Sequence, residues 1–167
     1  QGDVPLGAGL SSSAALEVAT AVFIDGLNQL QIDRIELIKI AQRAENDFVG
    51  VNCGIMDQFI SMLGKKGHAL FLDCRTLDFE TVAAHFGYAG YALIVINSGV
   101  KRGLINSEYN LRRSQCEKAV IALQEDLPEI TALRDVTVDH LELIGALPEE
   151  LSKRALHVVT ENQRVLD

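Results

Sequence analysis

The sequence has no tryptophan, only three prolines and three cysteines, and aromatic residues make up 5% of it. It is short of positive charge: 15 Lys and Arg stand against 23 Asp and Glu, a net charge of −8. That balance argues against a general nucleic-acid binder, because phosphate-backbone contacts need clustered Lys and Arg. It still allows a local basic pocket for a small phosphorylated ligand. No apolar run approaches the roughly 20 residues that span a bilayer, so no membrane partner is expected. Cys53, Cys74 and Cys116 are not spaced as zinc ligands and do not pair up as a disulfide framework. Free thiols suit a reducing compartment, and a cytoplasmic location is expected. Hydrophobic residues are 48% and charged residues 23% of the 167, the mix of a globular chain rather than a disordered one. Both ends read as interior sequence: position 1 is Gln and the last residues remain helical in pattern. A piece of a longer protein is the expectation.

What is present begins with glycine and serine. Residues 2–13, GDVPLGAGLSSS, form a loop of small residues, where Pro5, Gly7 and Gly9 disfavour regular structure. A helix follows from Ala14 to Leu27. It carries only two charges, Glu17 and Asp25, and a helix apolar on nearly all sides is expected to be buried. A second helix runs from Asp33 to about Asp47, with Asp33 and Glu36 at capping-box spacing. A turn from Gly50 to Gly54 leads to a third helix over Ile55–Leu63. Three β-rich runs come next, at His68–Asp73, Phe79–Ala83 and Tyr91–Asn97. After Asn97-Ser98-Gly99 the chain turns helical again over Asn106–Gln124, and Pro128 and Pro148 punctuate two further helical segments. The fold class is therefore α/β, of the α+β kind, with a domain boundary near Ser98–Lys101.

The segment Gly7-Ala8-Gly9-Leu10-Ser11-Ser12-Ser13 has the chemistry of a phosphate cradle. Glycines let backbone N–H groups approach closely. The next helix adds its unpaired N-terminal N–H groups and positive dipole end. Serine hydroxyls add donors, and one can ligate Mg²⁺ through oxygen. The plainer reading is a turn that caps a helix with Ser11 or Ser12. It is not a Walker loop, since no Lys follows, nor a dinucleotide fingerprint, since Val4-Pro5 is a poor strand end. Gly64-Lys65-Lys66 follows a helix and reads as a solvated cap.

Two carboxylates stand out. Asp57 lies near the start of the third helix, where N–H groups favour its charged form, and Met56, Phe59 and Ile60 are expected to bury it in part. Such a group suits a base or an orienter for a hydroxyl; an ordinary N-terminal helix charge is the alternative. Glu45 falls at helical spacing with Ile38, Ala41 and Phe48. A carboxylate on an apolar stripe needs a partner, either a metal ion or an Arg, and Arg43 is not on that face. The four histidines, His68, His85, His140 and His157, lack ligand spacing and read as structural or surface groups.

Pro5-Leu6-Gly7-Ala8-Gly9-Leu10-Ser11-Ser12-Ser13-Ala14 resembles the central ATP-binding motif of the GHMP small-molecule kinases, which include the galactokinases and the homoserine and mevalonate kinases. Cys53-Gly54-Ile55-Met56-Asp57-Gln58-Phe59 is similar to the galactokinase branch, as are Asn97-Ser98, Ser107-Glu108-Tyr109-Asn110 and Arg112-Arg113. The resemblance covers essentially the whole chain in one colinear order. It departs at Ala15, where Ser is more usual.

The resemblance implies a GHMP fold. Residues 1–100 would belong to the N-terminal domain, of ribosomal-protein-S5-domain-2-like type, and 101–167 would open the C-terminal domain. It implies ATP on Gly7–Ser13, Mg²⁺ on Ser13 and Glu45, Asp57 as catalytic base, and galactose contacts from Gly54, Asp57 and Tyr109. The expected reaction is ATP-dependent phosphorylation of the galactose C1 hydroxyl, by a monomer. A kinase for N-acetylgalactosamine or arabinose, or a non-catalytic galactose/ATP sensor, are the alternatives. The family's N-terminal sugar-contacting segment and C-terminal glycine-rich motif do not occur in residues 1–167, so this stretch alone is expected to be inactive.

Overall fold

The computed structural model describes residues 2–84, 87, 90–97 and 105–167, with side chains from 108 onward in the last stretch. The chain divides into two compact units, Gln1–Gly103 and Leu104–Asp167.

The first unit places three helices and a hairpin in chain order. Helix α1, Ser12–Asn28, packs on α2, Arg34–Arg43, and on α3, Met56–Leu63. Asp33 caps α2 by accepting from the Ile35 N–H at 2.8 Å. Glu36 does not complete the expected capping box; it pairs with Lys39 at 2.7 Å instead. Strands β1, His68–Leu72, and β2, Phe79–Ala83, pair antiparallel, with His68 opposite Ala83 and Leu72 opposite Phe79. The core gathers Ile38, Ile55 and Phe59, with Leu70, Leu72 and Leu77 packed against them. Phe59 meets Phe79 edge-on, ring centroids 5.8 Å apart, a geometry favoured by the ring quadrupoles. The hairpin is thereby fixed to α3.

Three expectations are corrected here. Helix α1 is not buried all round: Ala14 and Val18 are buried, whereas Leu16, Phe23 and Leu27 are exposed. Neighbouring helices cover only the side that carries Ala14 and Val18. The run Tyr91–Asn97 forms no strand and its side chains are exposed. The described sheet has two strands, β1 and β2, and an apolar run becomes a strand only when a neighbour accepts its ladder bonds. The second helix does not run on regularly to Asp47. It ends at Arg43 and continues as a π-helical turn over Ala44–Val49. That wider turn carries Phe48 off the stripe, leaving it 92% exposed while Ile38, Ala41 and Glu45 stay buried. Ser98, Gly99, Lys101 and His85 lie outside the described residues, as does the side chain of Ser107.

The second unit is helical. Helix α4, Ile105–Leu123, packs against α6, Glu149–Leu166, with the short α5, Leu141–Ala146, and two 3₁₀ turns between them. Ala119, Leu123, Leu133, Ile144, Ala155 and Val159 form its own core. Pro148 stands at the N-cap of α6, where its fixed φ and missing N–H cost nothing. No helix among the described residues is long and apolar enough to cross a membrane.

Candidate active site

The glycine–serine loop is shaped by three positive backbone angles. Gly7 and Gly9 have φ of 70° and 73°, as glycine readily adopts. Ser11 has φ 55°, an uncommon conformation for a residue with a Cβ. Ser11 occupies the N-cap position of α1, yet its side chain makes no capping bond. The plain helix-capping reading of this serine therefore fails. Its hydroxyl Oγ donates instead to Asp57 Oδ1 at 2.8 Å, across 46 residues of sequence. The left-handed backbone at Ser11 turns the hydroxyl toward α3 and away from the N–H groups of α1. Those groups stay open to an incoming anion.

Asp57 sits in the first turn of α3, where the helix N-terminus favours a negative charge. The expectation that it is partly buried is not met: Asp57 is exposed, with Met56 and Ile60 beside it at 64% and 42% exposure. The buried face of α3 is carried by Gln58 and Phe59. Asp57 therefore presents its carboxylate outward, reachable by a second molecule. The turn that starts α3 is pinned from behind. Gln42 Nε2 donates to the Cys53 carbonyl at 3.2 Å, and Asn46 Oδ1 accepts from the Cys53 N–H at 3.1 Å and from Cys53 Sγ at 3.2 Å. Burial first, then the Glu45 charge, push the Cys53 thiol up. Gly54 follows, exposed, and a Cβ built there would meet nothing within 4 Å. Its backbone is open to close approach.

Glu45 lies inside the π-helical turn and is 9% exposed. Its backbone carbonyl accepts from the N–H groups of Gly50 and Val51, at 3.0 and 3.2 Å, which closes the turn. Its carboxylate oxygen Oε2 is fully buried with no hydrogen-bond partner among the described residues. Among the described residues no arginine is paired with it, and the Glu45 environment suits a cation. Among the described residues no three His, Cys, Asp or Glu side chains form a metal cage by themselves. Mg²⁺ is ordinarily held by one or two carboxylates together with substrate phosphates and water, and the residues present fit that pattern.

Sequence reasoning missed Glu17. It projects from α1 one turn after Ser13, on the same helix face, and its carboxyl meets that of Glu45. Gln58 Nε2 donates to Glu17 Oε2 at 3.2 Å. Burial first, and then the hydrogen bond with Glu45, push Glu17 up to about 7, against the opposing pull of Gln58. Gln58 itself is 1% exposed, and its Oε1 has no partner. The available signal was one of only two carboxylates, Glu17 and Asp25, in an otherwise apolar stretch.

The structure thus brings Ser11 to Asp57, and Glu45 to the helix that carries Ser13. Ala8, Leu10 and Ser12 lie on the same loop and helix start, with Ser13 exposed. Tyr109 lies on α4 in the second unit and is 45% exposed. His68 Nδ1 is bonded to the Lys66 carbonyl, and His140 Nδ1 accepts from the Thr137 N–H. Both are structural contacts.

Residues 1–65 match the family described as GHMP kinases N terminal domain. The chain is 45% identical over 166 residues to a galactokinase of Exiguobacterium sibiricum, covering 99% of this chain and 42% of that protein. It is 52% identical over 165 residues to a galactokinase of Roseiflexus, covering 98% and 41%. Among solved structures it is similar to the galactose complex of Lactococcus lactis galactokinase, with TM-score 0.86, 35% identity, and coverage of 98% of this chain and 42% of that one. The chain thus spans less than half the length of the galactokinases it matches. The mixed helix-and-strand content and the structural likeness to a galactokinase agree with the sequence reading.

Proposed function

We propose that the protein carrying this chain is a galactokinase, which transfers the γ-phosphoryl group of ATP to the C1 hydroxyl of α-D-galactose. The observation that carries the reading is the Ser11–Asp57 hydrogen bond, which ties a glycine–serine phosphate loop to an exposed carboxylate. Identity of 45% and 52% to galactokinases over nearly the whole chain supports the choice of sugar. The two compact units support assigning residues 1–100 to the N-terminal GHMP domain and 101–167 to the start of the C-terminal one. Three free thiols suit the cytoplasm.

In this reading the N–H groups of Gly7–Ser13 and the start of α1 hold the ATP phosphates. Ser13 and Glu45 would hold Mg²⁺, which when bound neutralises phosphate charge. Gly54 lets the sugar approach the backbone. Asp57, oriented by the Ser11 hydroxyl, positions the C1 hydroxyl and accepts its proton. The sugar oxygen forms a bond to the γ-phosphorus as the bond to the ADP oxygen breaks. Phosphoryl transfer depends mainly on positioning and charge neutralisation.

The test is a phosphoryl-transfer assay with ATP and galactose on the full-length protein, with Asp57→Asn alongside. Asn nearly preserves shape at an exposed position, so the variant folds and binds galactose. It loses about 10²- to 10⁴-fold in kcat, the usual scale of a general base. A fall of less than about tenfold in a folded variant ends the base role. No galactose 1-phosphate from the wild type ends the reading.

A further inference from the structure

We infer that Glu17 is a second carboxylate of the cation site, completing with Glu45 and Ser13 a three-oxygen half-shell whose open side faces the phosphate loop. The inference rests on the kinase reading above and extends its metal site.

Three observations carry it. Glu17 stands one helical turn beyond Ser13, so the hydroxyl and the carboxylate line one face of α1. The π-helical turn packs on α1 and brings the Glu45 carboxyl to that of Glu17, and Glu45 Oε2 is wholly buried with no donor among the described residues. Gln58, itself 1% exposed, donates to Glu17 Oε2 at 3.2 Å and anchors that carboxylate from the floor of α3. No Lys or Arg in the first unit is paired with either glutamate by any described ion pair. Two adjoining carboxylates, Glu45 buried and Glu17 half-buried, repel each other when both are ionised, and a divalent cation removes that repulsion while filling the vacant oxygen valence.

The geometry also fits magnesium's habits. Mg²⁺ takes one or two carboxylates and completes its octahedron with water and substrate phosphates. Two glutamates and one serine leave half the octahedron for the nucleotide. The placement makes Gln58 a positioning residue: it touches neither nucleotide nor sugar, and it holds Glu17 at the correct angle.

The probe is Mn²⁺, followed by electron paramagnetic resonance in the full-length protein with a non-hydrolysable ATP analogue present, so no turnover is needed. Glu17→Gln is expected to weaken Mn²⁺ binding about 10- to 100-fold, the range in which metal sites respond to lost partners. Glu17→Asp keeps the charge one methylene shorter and is expected to weaken it less. Glu45→Gln serves as the reference. If Glu17→Gln binds Mn²⁺ like the wild type while Glu45→Gln does not, Glu17 is a structural carboxyl and the inference falls, leaving the Glu45 assignment intact. If both variants bind as the wild type does, the Glu45 assignment falls with it. Should Glu17→Gln fail to fold, the Asp variant decides, and unchanged Mn²⁺ affinity there overturns the inference.

Discussion

The Ser11 hydroxyl donates to Asp57 Oδ1 at 2.8 Å, from a backbone held in the left-handed region at φ 55°. A capping serine would have turned that hydroxyl onto the N–H groups of its own helix. Here it serves another helix, so the loop and the carboxylate are set as one unit.

Ser11→Ala removes this link. The bond is exposed, so stability is expected to change by no more than about 0.5–1.5 kcal/mol. Activity responds more, because the Asp57 carboxylate loses a donor that fixes its direction. The expected result is a drop in kcat with galactose affinity nearly kept, read from steady-state kinetics beside urea unfolding. Unchanged kcat would make the bond incidental.

Stability should depend on pH through Glu17. Its carboxyl is raised from 4.5 to about 7 in the folded chain, chiefly by burial. A raised carboxyl prefers its proton in the folded state. That contribution is fully present below about 4.5 and is lost as pH rises through about 7. Urea unfolding between pH 4.5 and 8 in chelated buffer is expected to show falling stability over that window, and Glu17→Gln is expected to flatten it.

Phe59→Ala and Phe48→Ala should differ sharply. Phe59 is fully buried against Phe79, and its truncation is expected to cost about 3–5 kcal/mol. Phe48 is 92% exposed, so its truncation is expected to stay within about 0.5 kcal/mol. Chemical denaturation of both variants checks this. Equal losses would mean that Phe48 is covered in the folded protein.

The thiols should also separate. Burial pushes Cys53 and Cys116 up, whereas Cys74 is exposed. The thiolate is the species that alkylates. Iodoacetamide at pH 8 is therefore expected to label Cys74 first, as peptide mapping would show. Faster labelling at Cys53 would mean that the Asn46–Cys53 turn opens readily.

Much of this architecture was legible in the chain. The helices, the hairpin and the glycine–serine loop follow from local signals: periodicity, alternation and the N-cap at Asp33. What escaped depends on neighbours. Whether Leu16 or Phe23 is covered is set by which helices pack on α1, not by their own hydrophobicity. Tyr91–Asn97 has strand composition, but a strand also needs a partner. The exposure of Asp57 follows from which face of α3 turns inward, and Gln58 and Phe59 take that face. Glu17 became visible only when folding set it beside Glu45, 28 positions along the chain.

The π-helical turn over Ala44–Val49 has one more consequence. It is a helix with an extra residue looped into it, closed at Gly50 by an N–H bond to the Glu45 carbonyl. Removing any one residue between Arg43 and Gly50 would let the regular ladder resume and turn everything after it by roughly 100° about the axis. Glu45 would keep its neighbours in sequence and lose its neighbours in space. Length is therefore under tighter constraint in this stretch than side-chain identity, and natural variation here should appear as substitution without gaps.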